Sequence, residues 1–111
     1  MARYLSEEEM LADGIRIEHD VARSRFVVLV DQKPLGEVEP REIGEAHYTL
    51  LGENGIDFDH TVVLPEFRGT GISGLLAEHA LKHEIVPGRN VQASCWFIEE
   101  YLAKHPELIS A

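Results

Sequence analysis

The 111-residue chain has a single cysteine, so no disulfide closes within it, and a reducing compartment suits it. No apolar run approaches the ~20 residues that a membrane-spanning helix needs. The start, Met1-Ala2-Arg3-Tyr4-Leu5-Ser6-Glu7-Glu8-Glu9, has no apolar core of a secretory signal, and the expected location is cytoplasmic. Positive charge is scarce: ten Lys and Arg stand against twenty Asp and Glu, a net charge of −10. That balance repels nucleic-acid phosphate and anionic membrane and excludes both as expected partners. It would attract a cationic acceptor such as an amine or a basic peptide, and it equally serves solubility alone. No repeat, linker or low-complexity stretch interrupts the chain. His47, His79, His83 and His105 lack the partners in sequence that a metal site requires, so no metal is expected.

What is present reads as one domain over residues 1–111, with one modest core. Ser6-Glu7-Glu8-Glu9 has the form of a capping box, but Asp13-Gly14 soon breaks the run. Residues 1–13 are therefore read as a short helical turn, possible as an N-terminal appendage outside the fold. Ile15–His19 alternates as a half-buried strand, and Phe26–Val30 is a continuous apolar one. Leu35–Glu39 reads as a third strand, Glu42–Glu45 as a loop and Ala46–Leu51 as a further strand. Gly52-Glu53-Asn54-Gly55 is a hairpin signal, and turns this short pair successive strands antiparallel.

The central stretch runs from Asp57 to His83. Asp57–Leu64 is β-rich, Pro65 ends it, and Glu66-Phe67-Arg68-Gly69-Thr70-Gly71 leads into a helix. Ile72, Leu75, Leu76, His79, Ala80 and His83 recur at helical spacing, and the helix is expected to reach Glu84 or Ile85 before Pro87-Gly88. Bare glycines ahead of a helix N-terminus suit the close approach of a phosphate, and they also occur in ordinary turns. Val91–Cys95, reached by a helical crossover, should lie parallel to strand 57–64. Trp96–Lys104 forms a second helix with an apolar stripe of Phe97, Ile98, Tyr101 and Leu102. The class is α+β, with a mixed sheet.

Gly69-x-Gly71-x-x-Gly74 matches the dinucleotide fingerprint in letters but not in setting. Four residues separate the strand from the first glycine, and the expected acidic residue at the end of the next strand is absent: Arg89-Asn90 and Ser94-Cys95 stand there. The 37 residues after Gly74 are too few for the remaining βαβ units.

Val63-Leu64-Pro65-Glu66-Phe67-Arg68-Gly69-Thr70-Gly71-Ile72 resembles instead the acetyl-CoA motif of the GNAT superfamily of N-acetyltransferases, Arg/Gln-x-x-Gly-x-Gly/Ala. Arg68 and Gly71 match, and Ser73 replaces the usual Gly or Ala. Cys95-Trp96-Phe97-Ile98 and Tyr101-Leu102-Ala103-Lys104-His105-Pro106 resemble the end of a small single-domain group of that superfamily, with His60-Thr61 fitting as well. The resemblance spans roughly residues 15–107 and implies a fold whose two parallel strands splay apart, flanked by two C-terminal helices. The backbone of Val63 and Leu64 would pair with pantetheine, and the N–H groups of Arg68, Gly69, Thr70, Gly71, Ile72 and Ser73 would hold the pyrophosphate. Acetyl-CoA is the implied cosubstrate, and a cationic small amine or protein amine the acceptor. Larger members have two more strands after the last helix, so the acceptor site here is expected to be open, completed by a partner or absent.

Acetyl transfer to an amine needs a base, an acid for the leaving thiolate and a held nucleophile. Tyr101 lies seven residues after Ser94, the spacing at which many relatives place a tyrosine as general acid, though their usual Asn is missing at Ser94. It equally reads as a core aromatic. Cys95, at a helix N-terminus, reads as an acyl acceptor or as a buried inert thiol. His60 and Glu66 flank the central strand as general-base candidates, or as surface residues. The implied activity is direct acetyl transfer; the alternative is a non-catalytic acyl-CoA-binding or sensing module.

Overall fold

The computed structural model describes residues 3–31 and 40–108. Five strands, β1 (Ile15–Asp20), β2 (Arg25–Val30), β3 (Arg41–Leu51), β4 (Gly55–Val63) and β5 (Asn90–Gln92), form one sheet in chain order. β1 to β4 pair antiparallel and β4–β5 parallel, the mixed α+β architecture expected. Three helices accompany them: α1 (Glu7–Ala12), α2 (Ile72–Lys82) and α3 (Trp96–Lys104), α3 with the bounds the apolar stripe predicts.

α2 lies over the sheet because its period places Ile72, Leu76, Ala77, Ala80 and Leu81 on one stripe. These meet Phe26, Val28, Ala46, Tyr48, Phe58 and Val63 from the facing strands in one apolar cluster, which Ile98 of α3 also joins. Each fully buried side chain of this size contributes about 1.5–3 kcal/mol. His79 and His83 extend the stripe, stacking edge-on against Phe26 at 5.7 and 5.0 Å.

Four local expectations change. The residues Glu42–Glu45, read as a loop, belong to β3, whose register shifts between Val28 and Leu29 so that Ile43 is an extra residue. Gly44 sits in that strand for want of room: a Cβ there would lie 3.1 Å from the Val62 carbonyl oxygen and 3.2 Å from Val63 Cγ2. α2 ends at Lys82, earlier than expected, because His83 turns extended and its Nδ1 accepts the Ile85 N–H at 3.1 Å. β5 is cut to three residues because Ser94 leaves the ladder for Asp57, whose carboxylate accepts Ser94 N–H at 2.8 Å and its hydroxyl at 2.7 Å. Finally, the N-terminal segment is packed rather than appended. Met10 is fully buried, Glu7 bonds His79, and Tyr4 N–H donates to the Thr70 carbonyl at 2.7 Å. Ser6 caps α1 through the Glu9 N–H as the capping box predicts, while Glu9 returns its carboxylate to the Leu5 N–H. The strand expected at Leu35–Glu39 falls outside the described residues.

Candidate functional site

The site lies where β4 and β5 part. They pair only at Gly55–Asp57 with Asn90–Gln92. Beyond that, the last backbone bond across the seam among the described residues is Cys95 N–H to the Phe58 carbonyl, 3.0 Å. Asp57 fixes where the parting begins, because its buried carboxylate turns the chain at Ser94 into α3. On the β3 side the Leu64 N–H donates to the Ile43 carbonyl at 2.9 Å, so by strand alternation the peptide groups of Thr61 and Val63 turn the other way, toward the parting. There Thr61, Val62, Val63, Arg68, Ser73, Trp96 and Phe97 line a cleft of about 430 Å³. That size falls within the range of small-ligand sites. Trp96 stands at its edge 71% exposed, although it is the chain's one tryptophan and a large apolar group.

One end of the cleft is the turn into α2. Pro65–Phe67 forms a single 3-10 turn, and Arg68 Nε reaches the Val63 carbonyl at 3.4 Å. Thr70 is buried; its hydroxyl donates to the Phe67 carbonyl at 2.6 Å and accepts the Ile72 N–H at 3.4 Å, which sets the shape of the loop. The other first-turn N–H groups of α2, Ser73 and Gly74 among them, have no acceptor within the helix. Both loop glycines have positive φ, +83° at Gly69 and +90° at Gly71, but for different neighbours. A Cβ on Gly69 would meet nothing within 4 Å, so that side of the loop is open to a ligand. On Gly71 it would stand 2.5 Å from the Tyr4 carbonyl oxygen, so the bareness there accommodates the protein's own N-terminal segment.

The residues proposed from sequence for chemistry are spread around this cleft. Cys95 is half-buried at the N-cap of α3, its Sγ 3.5 Å from Thr61 Oγ1 in the cleft lining. Tyr101 faces α2 instead, its hydroxyl 3.5 Å from Glu78 Oε2 and its ring 4.5 Å from that of His105. Burial, reinforced by the Glu78 charge, raises the Tyr101 pKa above 10.0, so the hydroxyl keeps its proton at neutral pH. His60 is largely exposed, its Nε2 3.9 Å from Glu45 Oε2. Glu66 is held by a two-pronged ion pair with Arg41, at 2.7 and 3.4 Å. Asp57, Trp96 and Tyr4 were not legible as site residues; only the spacing of Asp57 from a strand that ends early could have pointed to the first. Among the described residues no group of three His, Cys, Asp or Glu is placed to hold a metal ion, and no helix is long and apolar enough to cross a membrane.

A short strand pair opening into a cleft, closed by a Gly-x-Gly turn at a helix start, is the arrangement of a GCN5-related N-acetyltransferase. The family model of that description matches residues 25–111, and the chain belongs to this family. It is similar to Protein NATD1 of Homo sapiens, 32% identical over 92 residues that cover 83% of this chain and 75% of the relative. Protein NATD1 of Xenopus tropicalis is 30% identical over 95 residues, covering 86% and 81%. That of Danio rerio is 24% identical over 96 residues, again covering 86% and 81%.

Proposed function

We propose that this protein binds acetyl-CoA in the cleft between β4 and α3 and transfers the acetyl group directly to an amine. The observation that carries this reading is the cleft itself, which runs from the Thr61–Val63 edge to the Arg68–Ser73 turn in a chain of this family. The parts suit the ligand's chemistry. A polar strand edge can take the amide groups of pantetheine as an added strand would. Val63, with Thr61, would supply that edge, since the expected Leu64 N–H is taken by Ile43. Gly69, Thr70, Gly71 and Ser73 would supply the cradle for the pyrophosphate, since the Arg68 and Ile72 N–H groups are taken by Pro65 and Thr70, with Gly69 open to close approach and the α2 dipole favouring the anion. Arg68 supplies a full positive charge beside it.

In the reaction the amine nitrogen bonds to the thioester carbonyl carbon as the C–S bond breaks, and the departing thiolate takes a proton. Tyr101 has the right protonation state for a proton donor but is turned to Glu78. That orientation favours a second reading, a module that binds acyl-CoA without turning it over. Cys95, beside Thr61, would carry the acyl group only in a two-step route.

Trp96 provides the test, since its fluorescence reports the cleft directly. CoA and acetyl-CoA should each change it saturably and stabilise the fold by about 2.7 kcal/mol at 100 times the dissociation constant, while NAD does neither. No response to millimolar CoA refutes the site. With binding established, Tyr101→Phe lowering turnover at unchanged CoA affinity supports the acid role. A Cys95-dependent acetyl adduct in intact mass would replace direct transfer with the two-step route.

A further inference from the structure

On the sheet face beside the cleft, β3 and β4 bring together a histidine and an aspartate that are twelve residues apart in sequence. His47 Nδ1 is 2.7 Å from Asp59 Oδ1, and the other carboxylate oxygen, Oδ2, accepts the Thr49 hydroxyl at 2.6 Å. The pairing is irregular at this point. His47 stands opposite His60 and Tyr48 opposite Phe58, so Asp59 is an extra residue in β4. A bulged residue is re-aimed, and this one holds a neighbouring ring. Burial pushes the Asp59 carboxyl up, but the hydrogen bonds from Thr49 and His47 outweigh it and hold Asp59 below the ordinary carboxylate range. It is therefore an anion at neutral pH, fixing the His47 tautomer with its proton on Nδ1 and leaving Nε2 as the basic nitrogen.

His47 lines a shallow hollow of about 440 Å³ with Arg23, Arg25, Glu42 and Glu45. Glu42 and Glu45 continue into a smaller hollow with Val62, and Val62 is also a wall of the cleft. Hollow and cleft lie on adjacent strands: His47 pairs with His60, which precedes Thr61 of the cleft lining. We propose that His47, oriented by Asp59, is the general base of an acceptor site on this face, and that the acceptor is a primary aliphatic ammonium ion or lysine side chain. The proposal rests on the acetyltransferase reading above. Of the cationic side chains in the hollow, Arg25 is already bound by Asp20, Glu42 and Glu45 at 2.8–3.1 Å. Four carboxylates, with Asp20 and Asp59, face two guanidinium groups, Arg23 and Arg25, so the face keeps an excess of negative charge for an incoming cation.

The proton count closes. The ammonium ion gives one proton to His47 Nε2, which passes it to solvent. The amine then attacks the thioester carbonyl, the N–C bond forms as C–S breaks, and the second proton from nitrogen ends on the CoA thiol. His47 works among Asp59 and His60 from β4, Glu42 and Glu45 on its own strand, Arg25 from β2 and Arg23 from the turn before it.

The test compares wild type with His47→Gln and Asp59→Asn against a panel of primary amines and lysine peptides, with Trp96 fluorescence measuring CoA affinity separately. His47 is a partly exposed surface residue, so His47→Gln should fold, and circular dichroism checks this. The expected result is a 10²–10⁴-fold loss of kcat in His47→Gln. CoA affinity should stay unchanged, the rising limb of the pH–rate profile should disappear, and added imidazole should restore part of the rate. Asp59→Asn, which leaves the ring but removes the carboxylate that orients it, should lose less. Wild-type kcat and pH profile in both variants overturn the proposal while leaving the acetyltransferase reading intact. A wild-type protein that binds CoA but acetylates no amine overturns it too, and one that does not bind CoA overturns the reading beneath it.

Discussion

Replacing Gly71 by alanine tests whether the N-terminal segment around Tyr4 is built into the loop ahead of α2. Gly71 sits at φ +90°, where an L-residue loses roughly 1 kcal/mol relative to glycine. Its new Cβ would stand 2.5 Å from the Tyr4 carbonyl oxygen, closer than any real contact, so the segment must move. The same segment donates Tyr4 N–H to the Thr70 carbonyl at 2.7 Å, and a displacement of half an ångström or more breaks that bond. Losing it adds about 1 kcal/mol. The total is about 2 kcal/mol, near 10 °C of melting temperature for a domain of this size. Gly69→Ala is the internal control. Its φ of +83° carries a similar backbone penalty, but its Cβ meets nothing within 4 Å, so about 1 kcal/mol should be lost. Urea unfolding followed by circular dichroism measures both. If the two variants fall by the same amount, the N-terminal segment is not seated against the loop, and the steric argument is refuted. CoA affinity separates them in the opposite order, because Gly69 is the glycine with an open side.

Two further outcomes follow from the polar interior. Asp57→Ala should lower unfolding free energy by about 2–3 kcal/mol, since it strands the Ser94 N–H and hydroxyl together, whereas Ser94→Ala should lose about 1 kcal/mol or less; equal urea midpoints for Asp57→Ala and wild type would exclude the clamp. His19 is held below its ordinary value of 6.5 by desolvation and then by His83 and His79, so the folded state binds fewer protons than the unfolded one; stability should be full above pH 6.5 and decline as pH falls through it, and in His19→Gln this part of the slope should flatten.

The legible parts of this chain are those whose signal is local and periodic. The α3 bounds, the Asn54-Gly55 hairpin and the Ser6 cap each depend on residues a few positions apart, and each stands where the pattern puts it. The parallel placement of β5 also follows from sequence, because a helical crossover leaves no other short route. Glu42–Glu45 defeats the same reasoning. Two acids and a glycine have low strand propensity, yet Arg25 on the neighbouring strand bonds both acids and the crowding at Val62 and Val63 requires the glycine. Tertiary partners override the local preference there, and no window of sequence contains them.

The candidate site divides along the same line. The Arg68–Gly71 turn is legible because close backbone approach demands glycine wherever the rest of the chain lies. What each glycine approaches is not, and Gly71 faces Tyr4, 67 positions earlier. The cleft wall is legible in the same partial way. Alternation identifies β4, but the point where β5 leaves it depends on Asp57 capturing Ser94, a contact 37 residues apart made by side-chain length and not by strand preference. The bulge at Asp59 sets His60 instead of Asp59 opposite His47 and shifts β4 by one residue against β3 from there on, while His47 Nδ1 keeps its bond to Asp59. Carried on from Tyr48–Phe58 without the bulge, the pairing would set Asp59 opposite His47 and turn His60 and Val62 to the other face of the sheet, since a one-residue slip reverses every side chain beyond it. The chemistry available beside the cleft is therefore set by register, and register is fixed jointly by the turn at one end of the hairpin and by the packing of Val63 against Gly44 at the other.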